Sequence, residues 1–204
     1  MEDADAGPGK VVVNRAMSLD GYIAGPDDDM DWVLEHLHPN QFPEIEAATG
    51  AMLVGRRTHE VAGRMSTKDR EYDGGPVFVL THRPPDEGQE GVTFLTGDLA
   101  AAVATARVAA AGKDLEILGA DLASQCLQRG LVDEVLVYVL PVLVGDGVRV
   151  TTADLGRIDL EPFSTSQSGS VTMLRFRVRN REAGRQALAG PGEDRVSQDE
   201  SLHP

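Results

Sequence analysis

The stretch Gly130–Gly147, GLVDEVLVYVLPVLVGDG, says most about the fold of this chain. Its centre, Glu134–Val144, is a long apolar run rich in valine and leucine, which predicts a β-strand. Pro141 has no backbone N–H to donate, so it marks a bend, an edge or the end of that strand. The stretch therefore predicts one long strand bounded by glycine turns.

Short β-branched runs alternate with helical spacings on the N-terminal side of this stretch. We predict strands at Lys10–Ala16, Tyr22–Ala24, Ala51–Val54, Pro76–Leu80, Val92–Leu95 and Leu115–Leu118. We predict helices at Asp29–Leu37, Pro43–Thr49, Arg57–Arg64, Leu99–Ala111 and Asp121–Arg129. On the C-terminal side, Phe163–Arg179 has two strand-like halves around Ser-Gly-Ser, which indicates a hairpin. The pattern predicts an α/β fold with a largely parallel sheet and an antiparallel hairpin at its end.

The composition excludes several classes of protein. The 204 residues include 19 Lys and Arg against 33 Asp and Glu, a net charge of −14. Because no basic run accompanies this acidity, we expect no nucleic-acid partner. No apolar stretch reaches the ~20 residues of a membrane span, and the N-terminus is unlike a signal peptide. We therefore expect a cytoplasmic protein without a membrane partner.

The distribution of apolar residues predicts one domain, residues 10–180, between two disordered tails. Residues 1–9 and 181–204 are poor in large apolar side chains, and such segments bury too little surface to fold. Cys126, the single cysteine, excludes an internal disulfide and a cysteine-rich metal site. It shares an apolar helical face with Leu122 and Leu127, which indicates a core residue rather than a nucleophile.

The segment Met52–Glu60, MLVGRRTHE, combines a strand end with a helix start. Gly55 is followed there by Arg56, Arg57 and Thr58. Free N–H groups, the helix dipole and two guanidinium groups make a phosphate site physically reasonable at this point. The alternative is a solvated basic helix start capped by Thr58, and on local grounds it is the better explanation.

Two further strand ends have residues suited to an anionic ligand. Thr81, His82 and Arg83 directly follow a buried strand, where α/β folds place their ligands. An ordinary polar loop explains these three residues at least as well. Gly119 separates a strand from a helix and permits close approach of a pyrophosphate or of another backbone segment. Taken alone, Gly119 is better explained as a structural glycine.

The acidic segment Asp27–Asp31 stands at a predicted helix start, where negative charge is favoured by the helix dipole. Asp29 or Asp31 could instead face a pocket and bind a protonated heterocycle or an amide edge. His36 and His38 are two residues apart on a helix and point to different faces, so we expect no metal site.

The order of these pieces resembles the dihydrofolate reductase-like superfamily. Within it, the chain looks most like the reductase branch that includes the C-terminal domain of the bifunctional riboflavin-biosynthesis deaminase–reductase. The matching segments are SLDGYIA (Ser18–Ala24), LVGRRTHE (Leu53–Glu60), VFVLTHRP (Val77–Pro84), ILGADLASQCL (Ile117–Leu127) and Gly130–Gly147. The resemblance implies a three-layer α/β/α sandwich around a mixed sheet that binds NADPH across the strand ends.

The resemblance also implies which residues bind each part of NADPH. Beside the nicotinamide it places Ala16 and Ile23, with Ser18 and Asp20 in the neighbouring loop. At the phosphates it places Gly55, Arg56, Arg57 and Thr58, and at the turn under the pyrophosphate Gly119, Ala120, Asp121 and Leu122. Around the adenosine ribose and its 2′-phosphate it places Thr81, His82 and Arg83. The cations among them favour NADPH over NADH, because a 2′-phosphate needs cationic partners.

The implied activity is hydride transfer from NADPH to a small C=N or C=O substrate, such as a pteridine, a pyrimidine or a specialised metabolite. Asp29 or Asp31 would orient that substrate or assist its protonation. The alternative is a nucleotide-binding protein that kept the fold and lost the chemistry. Leu118-Gly119 replaces the family's usual Gly-Gly pair, which motivates this alternative. We also expect a homodimer, for which the apolar run Val135–Val144 offers strand surface.

Overall fold

The computed structural model describes residues 9–64 and 75–179. The predicted tails, 1–9 and 181–204, lie outside these ranges apart from Gly9. In the described part, no helix has the length and apolarity that a bilayer crossing requires. The helices there are α1 (Asp31–Leu34), α2 (Pro43–Ala48), α3 (Arg56–Arg64), α4 (Leu99–Ala109) and α5 (Ala120–Gln128). The strands there are β1 (Val11–Ser18), β2 (Tyr22–Ala24), β3 (Thr49–Gly55), β4 (Val77–Leu80), β5 (Val92–Leu95), β6 (Asp114–Leu118), β7 (Glu134–Leu140), β8 (Val148–Arg149), β9 (Leu160–Ser168) and β10 (Val171–Val178).

Eight strands form one mixed sheet in the order β5-β4-β3-β6-β1-β7-β10-β9. Neighbours from β5 to β7 are parallel, whereas β10 is antiparallel to both β7 and β9. Strands β2 and β8 form a separate antiparallel pair. The predicted α/β class, mixed sheet and C-terminal hairpin are thus confirmed.

The sheet has an apolar core on each face, because successive strand residues point to opposite sides. Val11 and Val13 belong to the cluster that contains the buried residues of α4 and α5. Val12, between them, belongs to the cluster that contains Trp32 of α1 and Ile45 of α2. The three layers expected from the resemblance follow from this alternation.

Two local predictions differ from the structure, and one short strand was not predicted. The helix predicted at Asp29–Leu37 is a single turn, α1, because Asp29 has an extended backbone (φ −61°, ψ 124°) and His38 precedes a proline. The strand predicted to reach Val144 ends at Leu140, immediately before Pro141. Strand β8 has only two residues and no detectable alternation, so sequence patterns do not predict it.

Candidate functional site

A cavity of about 1040 Å³ lies where β3, β4 and β6 end, beside the middle of β1. Parallel strands end at the same edge of a sheet, which is where α/β folds place ligands. Most of the residues predicted for cofactor binding line this cavity. They are Ala16, Ile23, Gly55, Arg56, Arg57, Thr58, Thr81, His82, Arg83, Gly119, Ala120, Asp121 and Leu122.

Gly119 and Thr58 approach each other closely in the cavity wall. Gly119 precedes α5 with a φ of 95° and a ψ of 129°, a conformation that L side chains rarely adopt. A Cβ atom at this position would collide with the Thr58 Oγ1 atom of α3. The starts of α3 and α5 therefore meet at a junction that only glycine fits, despite Leu118 in the preceding position. The first residues of both helices line the cavity, and helix starts leave backbone N–H groups without intrahelical partners.

Cationic side chains surround the outer part of the cavity. Arg57 donates from Nη2 to Asp28 at 2.6 Å, and Arg56 pairs with Glu60 at 2.8 Å. His82 and Arg83 are exposed, and the Arg83 N–H donates to the Thr81 hydroxyl at 3.1 Å. The chain is acidic overall, yet the edge of this cavity can still attract an anion because charge acts locally.

Neither Asp29 nor Asp31, the carboxylates predicted to orient the substrate, lines the cavity, and both are exposed. The Asp29 carboxylate instead accepts the Asp31 N–H at 3.1 Å. Asp28 lines the cavity, and a positive φ of 63° at this residue sets the direction of its side chain. Hydrogen bonds from Arg57, with a further contribution from Arg64, lower the pKa of Asp28. Asp28 is therefore a cavity carboxylate that two arginines hold ionised.

Ser18 and Asp20, predicted for the loop beside the nicotinamide, also lie outside the cavity lining. The Asp20 carboxylate accepts the N–H groups of Val144 at 3.1 Å and Gly145 at 2.8 Å. It also accepts the Ser18 hydroxyl at 2.6 Å, and this bond is the largest cause that lowers the pKa of Asp20 to about 2. The Asp20 carboxylate therefore joins the loop after β1 to the loop after β7 by hydrogen bonds.

The model of the RibD C-terminal domain family matches residues 9–174. This range includes every strand that borders the cavity. The chain belongs to the RibD C-terminal domain family. The resemblance inferred from the sequence is thereby confirmed.

Relatives and solved structures agree with this membership. The uncharacterized protein YwjB of Bacillus subtilis is 26% identical over 169 residues, which cover 82% of this chain and 97% of that protein. A putative riboflavin biosynthesis protein from Shewanella has a TM-score of 0.69 at 24% identity, covering 84% of this chain and 99% of the other. Dihydrofolate reductase from Enterococcus faecalis, solved with NADP(H), has a TM-score of 0.58 at 16% identity, covering 85% and 98%. The chain therefore shares its fold with these solved proteins.

Several cavity residues of this RibD C-terminal domain family member were not predicted from its sequence. Apart from Asp28, those with polar side chains include Asn14, Arg15, Asp98, Gln125 and Arg129. Asp98 caps α4 by accepting the Ala101 N–H at 3.0 Å and lies 3.6 Å from Arg129. Arg15 had a detectable signal, since a charged residue inside an apolar strand is rarely buried without a reason.

Cys126 is fully buried in the core and does not line the cavity. Burial raises the pKa of its thiol to about 12. A neutral buried thiol is a poor nucleophile, so its interpretation as a core residue agrees with its environment.

Proposed function

We propose that this protein is an NADPH-dependent reductase that transfers a hydride to a small C=N or C=O substrate. The main support for this proposal is the junction of Gly119 with Thr58. It lies beside a cluster of cations in a cavity large enough for a dinucleotide. Membership of the RibD C-terminal domain family and the reductase fold agree with it.

The cavity residues have the chemistry that the separate groups of NADPH require. The starts of α3 and α5 present backbone N–H groups, which suit a pyrophosphate. Arg56, Arg57, His82 and Arg83 offer the cationic partners that a 2′-phosphate needs. Ala16 and Ile23 provide small and apolar contacts for a flat ring. We propose that these residues hold the cofactor.

Bound NADPH would supply the hydride, and the protein would supply orientation and a dry environment. Ile23, Met30 and Val148 form apolar wall near β1, which limits the access of water to that part of the cavity. Asp28 is a poor proton donor, because its arginine partners stabilise the carboxylate. We propose that Asp28 holds Arg57 in an ion pair that competes with the phosphates of the cofactor, and that neither Asp29 nor Asp31 protonates the substrate.

A second candidate function is nucleotide binding without redox chemistry. The placement of both predicted acids outside the cavity lining favours it, because Asp29 or Asp31 was expected to orient or protonate the substrate. Loss of chemistry would leave the phosphate contacts intact.

A turnover assay separates the two functions. We expect the absorbance of NADPH to fall when the protein is mixed with dihydrofolate or with a ribosylamino-pyrimidinone. Arg83→Ala should raise the KM for NADPH about tenfold, which corresponds to ~1.4 kcal/mol. Arg157→Ala is the matched control, because Arg157 is exposed and outside the cavity. Binding without turnover of either substrate leaves nucleotide binding as the better description for these substrate classes.

We also propose that the protein is a cytoplasmic homodimer. The strand part of the expected run Val135–Val144 has no free edge to offer an interface, because β7 is paired on both sides, with β1 and β10. Exposed Leu19 and Leu143 lie close together, since the Leu19 N–H donates to the Val142 carbonyl, and they are a more suitable contact surface. Light scattering that gives the monomer mass would reject the dimer.

A further inference from the structure

Arg15 is a buried cation in the wall of the cavity. It stands on β1 in the same alternation as Val11 and Val13, and only 5% of its surface is exposed. Its guanidinium group donates to three backbone carbonyls: Nη1 to Asn14 at 2.6 Å and Ile117 at 3.0 Å, and Nη2 to Gly119 at 2.6 Å. Arg15 therefore connects β1 to the end of β6 and to the turn that follows β6.

These contacts occur where the sheet opens. Strands β1 and β6 pair only from Val11 with Leu115 to Val13 with Ile117, although β1 continues along β7 as far as Ser18. Beyond Val13, the edge of β1 that faces β6 has no ladder partner. The Arg15 guanidinium occupies this gap and satisfies carbonyls on both of its sides. The N–H donors of this planar group thus take the place of the strand-to-strand hydrogen bonds that are missing there.

Burial of this cation has an energetic cost that packing alone does not offset. Among the described residues no carboxylate forms an ion pair with Arg15, and its Nε atom has no hydrogen-bond partner. Desolvation lowers its pKa from 12.5 to about 10, so it still remains protonated at neutral pH. An apolar residue of similar volume would avoid this cost. A buried unpaired cation beside a cavity thus indicates a role in the site.

We propose that Arg15 is a positioning residue that fixes the Gly119 turn, and with it the start of α5, for the pyrophosphate of the cofactor. The Gly119 carbonyl accepts both from Arg15 and from the Ala123 N–H, at 3.0 Å, in the first turn of α5. Holding this carbonyl fixes the direction of the peptide groups that face Thr58. This inference rests on the proposed NADPH site and extends it to a buried residue of the cavity wall.

Two variants separate the geometry of Arg15 from its charge. Arg15→Met keeps the apolar stem and removes all donors, whereas Arg15→Lys keeps the charge but cannot bridge three carbonyls with a planar fork. Arg157→Met is the control for loss of an exposed arginine. Each protein is measured below its own melting temperature, and Arg15→Lys decides the question if Arg15→Met does not fold.

The first readout needs no ligand. Hydrogen exchange of the Ala123 amide should be about tenfold faster in Arg15→Met than in the wild type, because the turn that holds its acceptor is released. The amide of Val103, in the core of α4 and away from the turn, should be unchanged. Equal exchange at Ala123 in all variants would overturn the proposal.

The second readout compares two ligands. NADPH should bind Arg15→Met about tenfold more weakly and Arg15→Lys about threefold more weakly than the wild type. Adenosine 2′-monophosphate, which has neither pyrophosphate nor nicotinamide, should bind all three within about twofold. Equal loss for both ligands, or no loss for NADPH, would overturn the proposal. If the wild type binds no NADPH, the proposed function fails, and the exchange of Ala123 still decides whether Arg15 positions the turn.

Discussion

Replacement of Gly119 by alanine is the sharpest test of the junction between Gly119 and Thr58 in the cavity wall. The new Cβ would have to tolerate a φ of 95° and would also collide with the Thr58 hydroxyl. The backbone conformation costs roughly 1–2 kcal/mol for an L residue. Relief of the collision by local shifts costs roughly 1–3 kcal/mol more. We therefore expect Gly119→Ala to lower the free energy of unfolding by about 2–5 kcal/mol.

A glycine elsewhere in the chain separates the two contributions. Gly112 also has a positive φ, of 85°, but a Cβ there would meet no atom within 4 Å. Gly112→Ala should therefore show only the backbone cost of roughly 1–2 kcal/mol. In a double-mutant cycle, Thr58→Ala should recover the collision part of the Gly119→Ala loss and leave the backbone part.

Urea denaturation gives these free energies, and fluorescence titration gives the affinity for NADPH. We expect NADPH to bind Gly119→Ala at least about tenfold more weakly than the wild type, and Gly112→Ala with unchanged affinity. The reasoning is refuted if Gly119→Ala is no less stable than Gly112→Ala and binds NADPH as the wild type does.

Three other predictions concern single residues. The pKa of Asp20 is lowered to about 2, so the stability that its carboxylate contributes is fully present above the unfolded pKa of about 3.9 and is lost as pH falls through 2. The difference in melting temperature between the wild type and Asp20→Asn should therefore shrink between pH 6 and pH 2. A constant difference would contradict this prediction. Asp28→Asn should tighten NADPH binding about threefold at low salt, because it releases Arg57 to bind a phosphate of the cofactor, and the gain should disappear at high salt. Weaker binding by Asp28→Asn would show that Asp28 does not compete with NADPH for Arg57. Cys126 should react with a thiol reagent only after unfolding, because it is buried and its pKa is about 12; rapid labelling of the native protein would contradict its burial.

Sequence patterns predicted the strands of the large sheet, and the family resemblance predicted most of the cavity wall. The motifs around Gly55, Thr81 and Gly119 stand directly at strand ends, and the parallel order of β3, β4 and β6 brings strand ends to one edge. Such positions follow from chain order and strand direction, without knowledge of side-chain angles. The family resemblance assigned them to one ligand.

The acids could not be assigned from the sequence. Asp27, Asp28 and Asp29 are consecutive, and the backbone angles decide which of them faces the cavity. Positive φ values at Asp27 and Asp28 are allowed but not required by their side chains. The partners of Asp20 are more than a hundred residues away, so the sequence motif alone does not show that its carboxylate binds the loop after β7.

The strand pattern of Lys10–Ala16 does not by itself assign Arg15 to the site. An arginine on the same face as Val11 and Val13 nevertheless needs partners when it is buried. Those partners are carbonyls on β6 and at Gly119, about a hundred residues along the chain. Only the register of β1 with β6 shows that the ladder ends at Val13.

The central claim is that the cavity binds NADPH through cations that recognise its 2′-phosphate. Isothermal titration of the full chain with NADPH and, separately, with NADH tests this claim most directly. The account predicts binding of NADPH at least about tenfold tighter than that of NADH, a difference of ~1.4 kcal/mol. Equal affinities, or no binding of NADPH, would contradict it.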